Sequence, residues 1–286
     1  MCNGTIMDKL ISFSLPLMLS GILQLMFNAV DIIVVGKFSG NESLAAVGST
    51  TALINVFTNL FIGISLGANV LAARLYAAGK DKEMSETVHT SITLALISGL
   101  VMALAGVLLA RFALNLMGTP NDVIDQSVLY MRIYFLGMPF FMLYNYGAAI
   151  LRAVGDTKRP LFFLVISGMT NAVLNLVLVI VFHMGVAGVA IGTIVSQLIS
   201  SILVLRCLYT SNTSYRLYFS KLGIKTQYLK QIFQVGIPAG IQSTVINLSN
   251  ALLQSSVNSF GSVAMAGYTA ANNIFGFLYM SVNAVT

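Results

Sequence analysis

The 286-residue chain is 57% hydrophobic and only 8% charged, with a formal net charge of +6. A soluble domain covers itself with roughly a quarter charged residues, so most of this surface must face lipid, and a soluble enzyme or binding module is excluded. The basic residues lie in short gaps between apolar runs, not in a stripe interleaved with aromatics, which excludes a nucleic-acid partner and leaves the lipid bilayer.

About 20 apolar residues are needed to cross the bilayer core as a helix. Eight stretches meet that need: 11–35, 47–73, 88–110, 127–151, 160–182, 186–208, 233–257 and 263–286. The expected fold is therefore all-α, a polytopic bundle. The first stretch is full length and lacks a small-residue cleavage pattern, so it is expected to stay in the membrane as span one. It contains Pro16, where the helix should kink, and a polar stripe of Ser20, Gln24, Asn28 and Asp31. Of the nine acidic residues, only Asp31 lies well inside a span. A carboxylate there is costly unless it is protonated, paired or hydrated. Two readings stay open, a functional carboxylate and an anchor at headgroup level, because Gly36 and Lys37 end the helix soon afterwards.

Span two has Thr51, Asn55 and Asn59 at the same spacing, then the close-packing pattern Gly63-xxx-Gly67. Span three opens on His89. Span four holds Pro139, a second expected kink, and Tyr144, a cavity candidate. Pro160 should open span five, where a missing N–H costs nothing; Ser167, Asn171 and Asn175 follow along one face. Span six adds Gly188-xxx-Gly192, Thr193 and Gln197, and span seven Pro238, Ser243, Asn247, Asn250, Gln254 and Asn258. Each polar residue alone can be interhelical glue. Several stripes converging in one lobe point to a polar cavity.

Twelve of the fifteen Lys and Arg residues fall on one side if the N-terminus is cytoplasmic; only Lys37, Arg111 and Arg132 fall on the other. The positive-inside rule then orients the chain with its N-terminus inside an inner (plasma) membrane. Cysteines placed at Asn41 and Asn121 should react with an impermeant thiol reagent added to whole cells, and cysteines at Ser85 and Thr226 should not. The reverse pattern would overturn the orientation.

A weak repeat joins the two ends of the chain. At an offset of 222, Pro16 aligns with Pro238, Asn28-Ala29 with Asn250-Ala251, Val35 with Val257 and Phe38 with Phe260. Six spans separate the copies, so both enter the membrane in the same direction, as in parallel transporter repeats. This predicts a six-helix lobe over 1–208, a cytoplasmic linker over 209–232, and the first two helices of a second lobe over 233–286. Doubling the offset predicts a complete protein of roughly 440 residues. The chain is expected to be a truncated form that transports nothing alone, since two lobes must rock against each other. A monomer is expected of the complete protein.

Catalytic chemistry finds no footing. His89 and His183 are far apart and no other His exists, so neither metal-ligand spacing nor a partner for a nucleophilic Ser is present. No Walker loop occurs. Cys2 and Cys207 are too few for a disulfide framework. An enzyme is not expected, and neither is a cofactor.

Leu15-Pro16 with Asn28-xx-Asp31, Gly63-xxx-Gly67-Ala68 through Ala78-Gly79-Lys80-Asp81, and Leu151-Arg152-Ala153-Val154-Gly155-Asp156-Thr157-Lys158-Arg159-Pro160 together resemble the multidrug and toxic compound extrusion family. The resemblance runs the whole chain, and its most specific part is the Arg-Ala-Val-Gly-Asp-Thr-Lys-Arg-Pro stretch. It implies twelve helices in two lobes that export small organic, often cationic, compounds against inward proton or sodium flux. It also implies that Asp31 is the cation-coupling carboxylate, that Gln24 and Asn175 line the cavity, and that Pro16 is a hinge; Asn28 and Asn171 join the cavity candidates through the polar stripes they share with these residues. One departure is Val179, where many relatives carry a second Asp. Two alternatives are a flippase for lipid-linked saccharides, which would need deep cationic side chains, and a membrane scaffold or receptor, which would have no use for the duplication.

Overall fold

Leu, Ile, Val and Met in lipid leave the backbone no water to bond, so its N–H and C=O groups must pair within the chain, and helices follow. The computed structural model describes residues 6–116, 119, 123–258 and 275. Among these there is no strand. The helices are α1 (Ile6–Phe38), α2 (Asn41–Ala77), α3 (Asp81–Leu116), α4 (Ile124–Leu136), α5 (Met138–Ala153), α6 (Lys158–Leu176), α7 (Gly185–Thr210) and α8 (Thr226–Asn258). The expected eighth span, 263–286, lies outside the described residues except for residue 275.

Among the described residues, five helices are long and apolar enough to cross a membrane: α1, α2, α3, α7 and α6 with its extension. The pair α4–α5, bent by 47°, is long and apolar enough for a sixth when its two helices are taken together as one broken span. The break falls at Gly137, and Pro139 occupies the first turn of α5, where its missing N–H is harmless. The kink expected from Pro139 is therefore present two residues earlier. By contrast, α1 and α8 each continue through their proline. Each is 33 residues long. Although α8 is long enough to span, it is not among the sufficiently apolar helices, because Gln and Asn residues recur along it. Residues 226–232, read from the sequence as linker, form its first turns.

Glycines set how closely the helices approach. A Cβ on Gly240 would lie 2.5 Å from the Leu60 carbonyl oxygen, and one on Gly236 would lie 2.6 Å from the Ile64 Cα. Together with Gly63 and Gly67 they let α8 lie directly on α2, backbone against backbone. The pairing of 60 with 240 and 67 with 232 makes this contact antiparallel. The Phe135 ring packs over Gly106, and Pro139 over Gly99, which seats the bent span against α3.

The turns at the basic end follow from their residues. Gly79 and Gly155 adopt φ of 67° and 89°, a region where a side chain would strain the backbone. After α5, the Gly155 N–H donates to the Arg152 carbonyl and the Asp156 N–H to the Leu151 carbonyl, closing the helix. Asp156 then accepts from the Arg159 N–H at 3.1 Å and pairs with its guanidinium at 3.3 Å. The most specific stretch of the sequence is thus a turn that ends one helix and starts the next.

Beyond α7 the chain crosses the end of α3. The His89 Nδ1 bonds the Ser85 carbonyl at 2.6 Å, which requires the proton on Nδ1. Its Nε2 accepts from the Tyr218 N–H at 3.0 Å, and the Tyr218 ring stacks on the imidazole. The Lys225 N–H donates to Thr90 Oγ1 at 3.3 Å. His89 thus holds the connecting segment in place.

Candidate functional site

The polar stripes of α1 and α6 meet because a phenylalanine brings the helices together. The Phe27 ring rests on Gly168, where any Cβ would collide with it. Seven residues further along α6, and four along α1, Asn175 reaches Asp31. The ascending order of both pairs makes the two helices parallel, as first and fifth spans must be.

Asp31 is 8% exposed and Asn175 is fully buried. The Asn175 Nδ2 donates to the Asp31 carboxylate, and also to Asn171 Oδ1 at 3.3 Å. The Asn171 Nδ2 donates to Thr193 Oγ1 at 3.4 Å, and that hydroxyl donates to the Val189 carbonyl at 3.0 Å. One chain of hydrogen bonds therefore runs from α1 through α6 to α7. It satisfies a buried carboxylate with neutral donors only; no Lys or Arg is bonded to it among the described residues.

Both donor bonds of the Asn175 amide go to acceptors, which fixes its orientation and turns Oδ1 the other way. That oxygen is buried and has no partner among the described residues. It sits against Gly192, in the space a Cβ would take. A buried carbonyl oxygen without a donor usually costs about 1–3 kcal/mol. The Asp31 carboxylate presents oxygen atoms of the kind that hold a proton or a hard cation, and Asn175 faces it with its donor nitrogen. On the α4 side, Tyr130 and Tyr134 lie within electrostatic reach of Asp31, their rings 6.0 Å apart.

Directly after Asn175 and Leu176, residues Val177–Val181 form a π-helical turn. Such turns insert a residue and recur at functional sites. Here the wider turn places Val179 inside, at 2% exposure, where an apolar side chain packs without cost. The chain then reverses through His183 and Gly185, both at positive φ, into α7.

The other residues read from the sequence do not join this cluster. Gln24 and Asn28 share the face of Asp31 but are exposed. Pro16 is buried, and Ser20 Oγ donates to its carbonyl at 2.7 Å. Tyr144 donates its hydroxyl to the Pro160 carbonyl at 3.1 Å. Pro160 is fifteen residues before Asn175 on α6, which puts Tyr144 roughly 22 Å along the helix from the carboxylate. The side chains of Asn250, Gln254 and Asn258 lie outside what is described. Sequence reasoning passed over Tyr130 and Tyr134, which carry no periodic signal of their own. It read Gly192 as a packing residue without linking it to Asn175.

The sequence model of the family described as MatE matches residues 16–177, from Pro16 past Asn175. A probable multidrug resistance protein, YoeA of Bacillus subtilis (strain 168), is 33% identical over 94% of this chain and 59% of its own length. A multidrug export protein, MepA of Staphylococcus saprophyticus, is 23% identical over 93% of this chain and 59% of its own. The chain spans about three fifths of these relatives. A solved structure, described as the outward-facing conformation of a multidrug resistance MATE family transporter, superposes with a TM-score of 0.87 at 25% identity; 97% of this chain and 62% of that one are covered.

Proposed function

The chain belongs to the MatE family, and from that premise we propose that the whole protein is a secondary active multidrug efflux antiporter with Asp31 as its coupling carboxylate. It exports small organic, often cationic, compounds and takes up protons or sodium ions in exchange. It works as a monomer in the inner membrane with its N-terminus in the cytoplasm, and it carries out no chemical conversion.

The observation that carries this reading is a carboxylate 8% exposed within an apolar helix, bonded by the buried amide of Asn175 and by no cation among the described residues. Such a group has a strong need for a counter-charge in its ionised state, and a proton or sodium ion supplies one. Binding the ion neutralises the site and releasing it restores the charge, so the two states differ in free energy. That difference biases a bundle between two arrangements. Asn175 tethers Asp31 to α6, and through Asn171 and Thr193 to α7, so a change at the carboxylate is transmitted to three helices. Gln24 and Asn28, exposed on the same helix face, give an organic cation polar contacts beside the site. Pro16 lets α1 bend between the two states.

The test is dye efflux from liposomes holding the full-length protein, under a pH gradient alone or a sodium gradient alone. One of the two gradients should drive efflux several-fold above protein-free liposomes. Efflux driven by neither would remove antiport as the function.

A further inference from the structure

We propose that the cleft between α6, α7 and the segment after α7 binds the phosphodiester headgroup of an anionic phospholipid, independently of which ion is coupled. The cleft has a volume of about 630 Å³ and lies at the end of the bundle where most Lys and Arg residues gather. Its mouth and its floor differ in kind. Of the lining residues Arg159, Arg206 and Thr213 are exposed, with Ser211 half-buried beside Thr213, whereas Phe163 is buried and Leu203 half-buried, so the charged groups stand at the mouth and the apolar ones toward the floor.

The arginines are in different situations. The Arg159 guanidinium is held by Asp156 at 3.3 Å and reaches the Cys207 sulfur at 3.6 Å, so it is positioned and partly neutralised. Arg206 is exposed and has no ion pair among the described residues. Two arginines against one aspartate leave the cleft net positive. Ser211 and Thr213 bond each other at 2.6 Å, either one donating, which leaves the other hydroxyl proton for an incoming oxygen. Guanidinium and hydroxyl donors around one open volume suit a phosphate.

The floor identifies the source of that phosphate. Arg159 to Phe163 is one helical turn on α6, and Arg206 to Leu203 nearly one on α7, so polarity falls over roughly 6 Å of depth. Phe162 and Ile202, beside the floor, are 61% and 53% exposed on the outside of the bundle, where acyl chains lie. A soluble phosphate would meet a wet floor. A lipid headgroup brings its own apolar continuation, and basic pockets between spans at this level select anionic lipids.

Cys207 lines the cleft and reports its occupancy. With Cys2→Ser it is the one thiol among these 286 residues, any cysteine beyond them being replaced by Ser as well, and its alkylation by a small neutral maleimide can be timed in nanodiscs. Phosphatidylglycerol mixed into phosphatidylcholine should slow the reaction, whereas inorganic phosphate added to pure phosphatidylcholine discs should not. Arg206→Gln should weaken the protection by roughly five-fold, the share expected of one arginine near the surface. A control cysteine at exposed Ser220, in a Cys207→Ser background, feels the same membrane charge without the cleft and should react equally in both discs. Because Arg206 makes no ion pair among the described residues, its replacement should leave the protein intact, and Arg206→Lys should keep partial protection. Three results would overturn the proposal: equal rates at Cys207 in both discs, protection by inorganic phosphate alone, or undiminished protection in Arg206→Gln.

Discussion

Asp31→Asn is expected to bring transport by the full-length protein down to background while insertion and yield stay normal. The substitution keeps the shape of the side chain, and an amide oxygen at position 31 can still accept from Asn175 Nδ2, so the α1–α6 contact survives. What is lost is the charge that appears when the coupling ion leaves. A neutral amide is also cheaper in the membrane than a carboxylate, so folding should not suffer. Asp31→Glu retains the charge on a side chain one methylene longer, which disturbs its alignment with Asn175; activity should fall but remain measurable. An anchor at headgroup level would tolerate Asn without loss. Efflux normalised to membrane expression separates the two, and full activity of Asp31→Asn would sink the coupling role.

Gly192→Val should be nearly as damaging, although it removes no polar group. The Asn175 Oδ1 occupies the space that a Cβ at position 192 needs, and the Asn175 Cγ would be only 3.3 Å from it. Valine is stiff at χ1 in a helix and cannot turn its branches away. The Asn175 amide must therefore swing aside, breaking its bonds to Asp31 and Asn171. Overpacking of this kind costs about 1–3 kcal/mol, and a hydrogen bond to a charged group about 1.5–3 kcal/mol more. Thermal stability in detergent should drop accordingly, and transport should fall at least about ten-fold, the factor equivalent to 1.4 kcal/mol. Gly192→Ala should show the same defect in milder form. Wild-type efflux by Gly192→Val would mean that the position of the Asn175 amide has no part in coupling.

Hydropathy and spacing determined much of this protein without help from coordinates. The described spans follow the apolar runs because lipid forces every spanning segment to satisfy its backbone internally, a requirement each segment meets alone. The isolation of Asp31 among nine acids could be read directly. So could the polar faces of α1 and α6, since a period of 3.6 residues fixes which side chains share a side of one helix. Helix ends were less legible: α8 begins at Thr226 although apolar residues gather only later. Likewise the bend of the fourth span fell at Gly137, two residues before Pro139, inside the turn whose bond to the residue-135 carbonyl a proline cannot donate.

The tertiary structure alone decided which residues of those faces meet. Asp31 and Asn175 are 144 positions apart, and nothing local to either helix fixes their relative height or rotation. Phe27 on Gly168 sets that height, and Gly192 on α7 sets the room left for the amide. Tyr144, chosen with the cavity residues, is held instead at the far end of α6 by Pro160, because its hydroxyl bonds there when the bent span packs. Periodicity reports the side of a helix on which a residue lies. The neighbour it finds depends on the packing of side chains between helices, a property of pairs of segments distant in the chain.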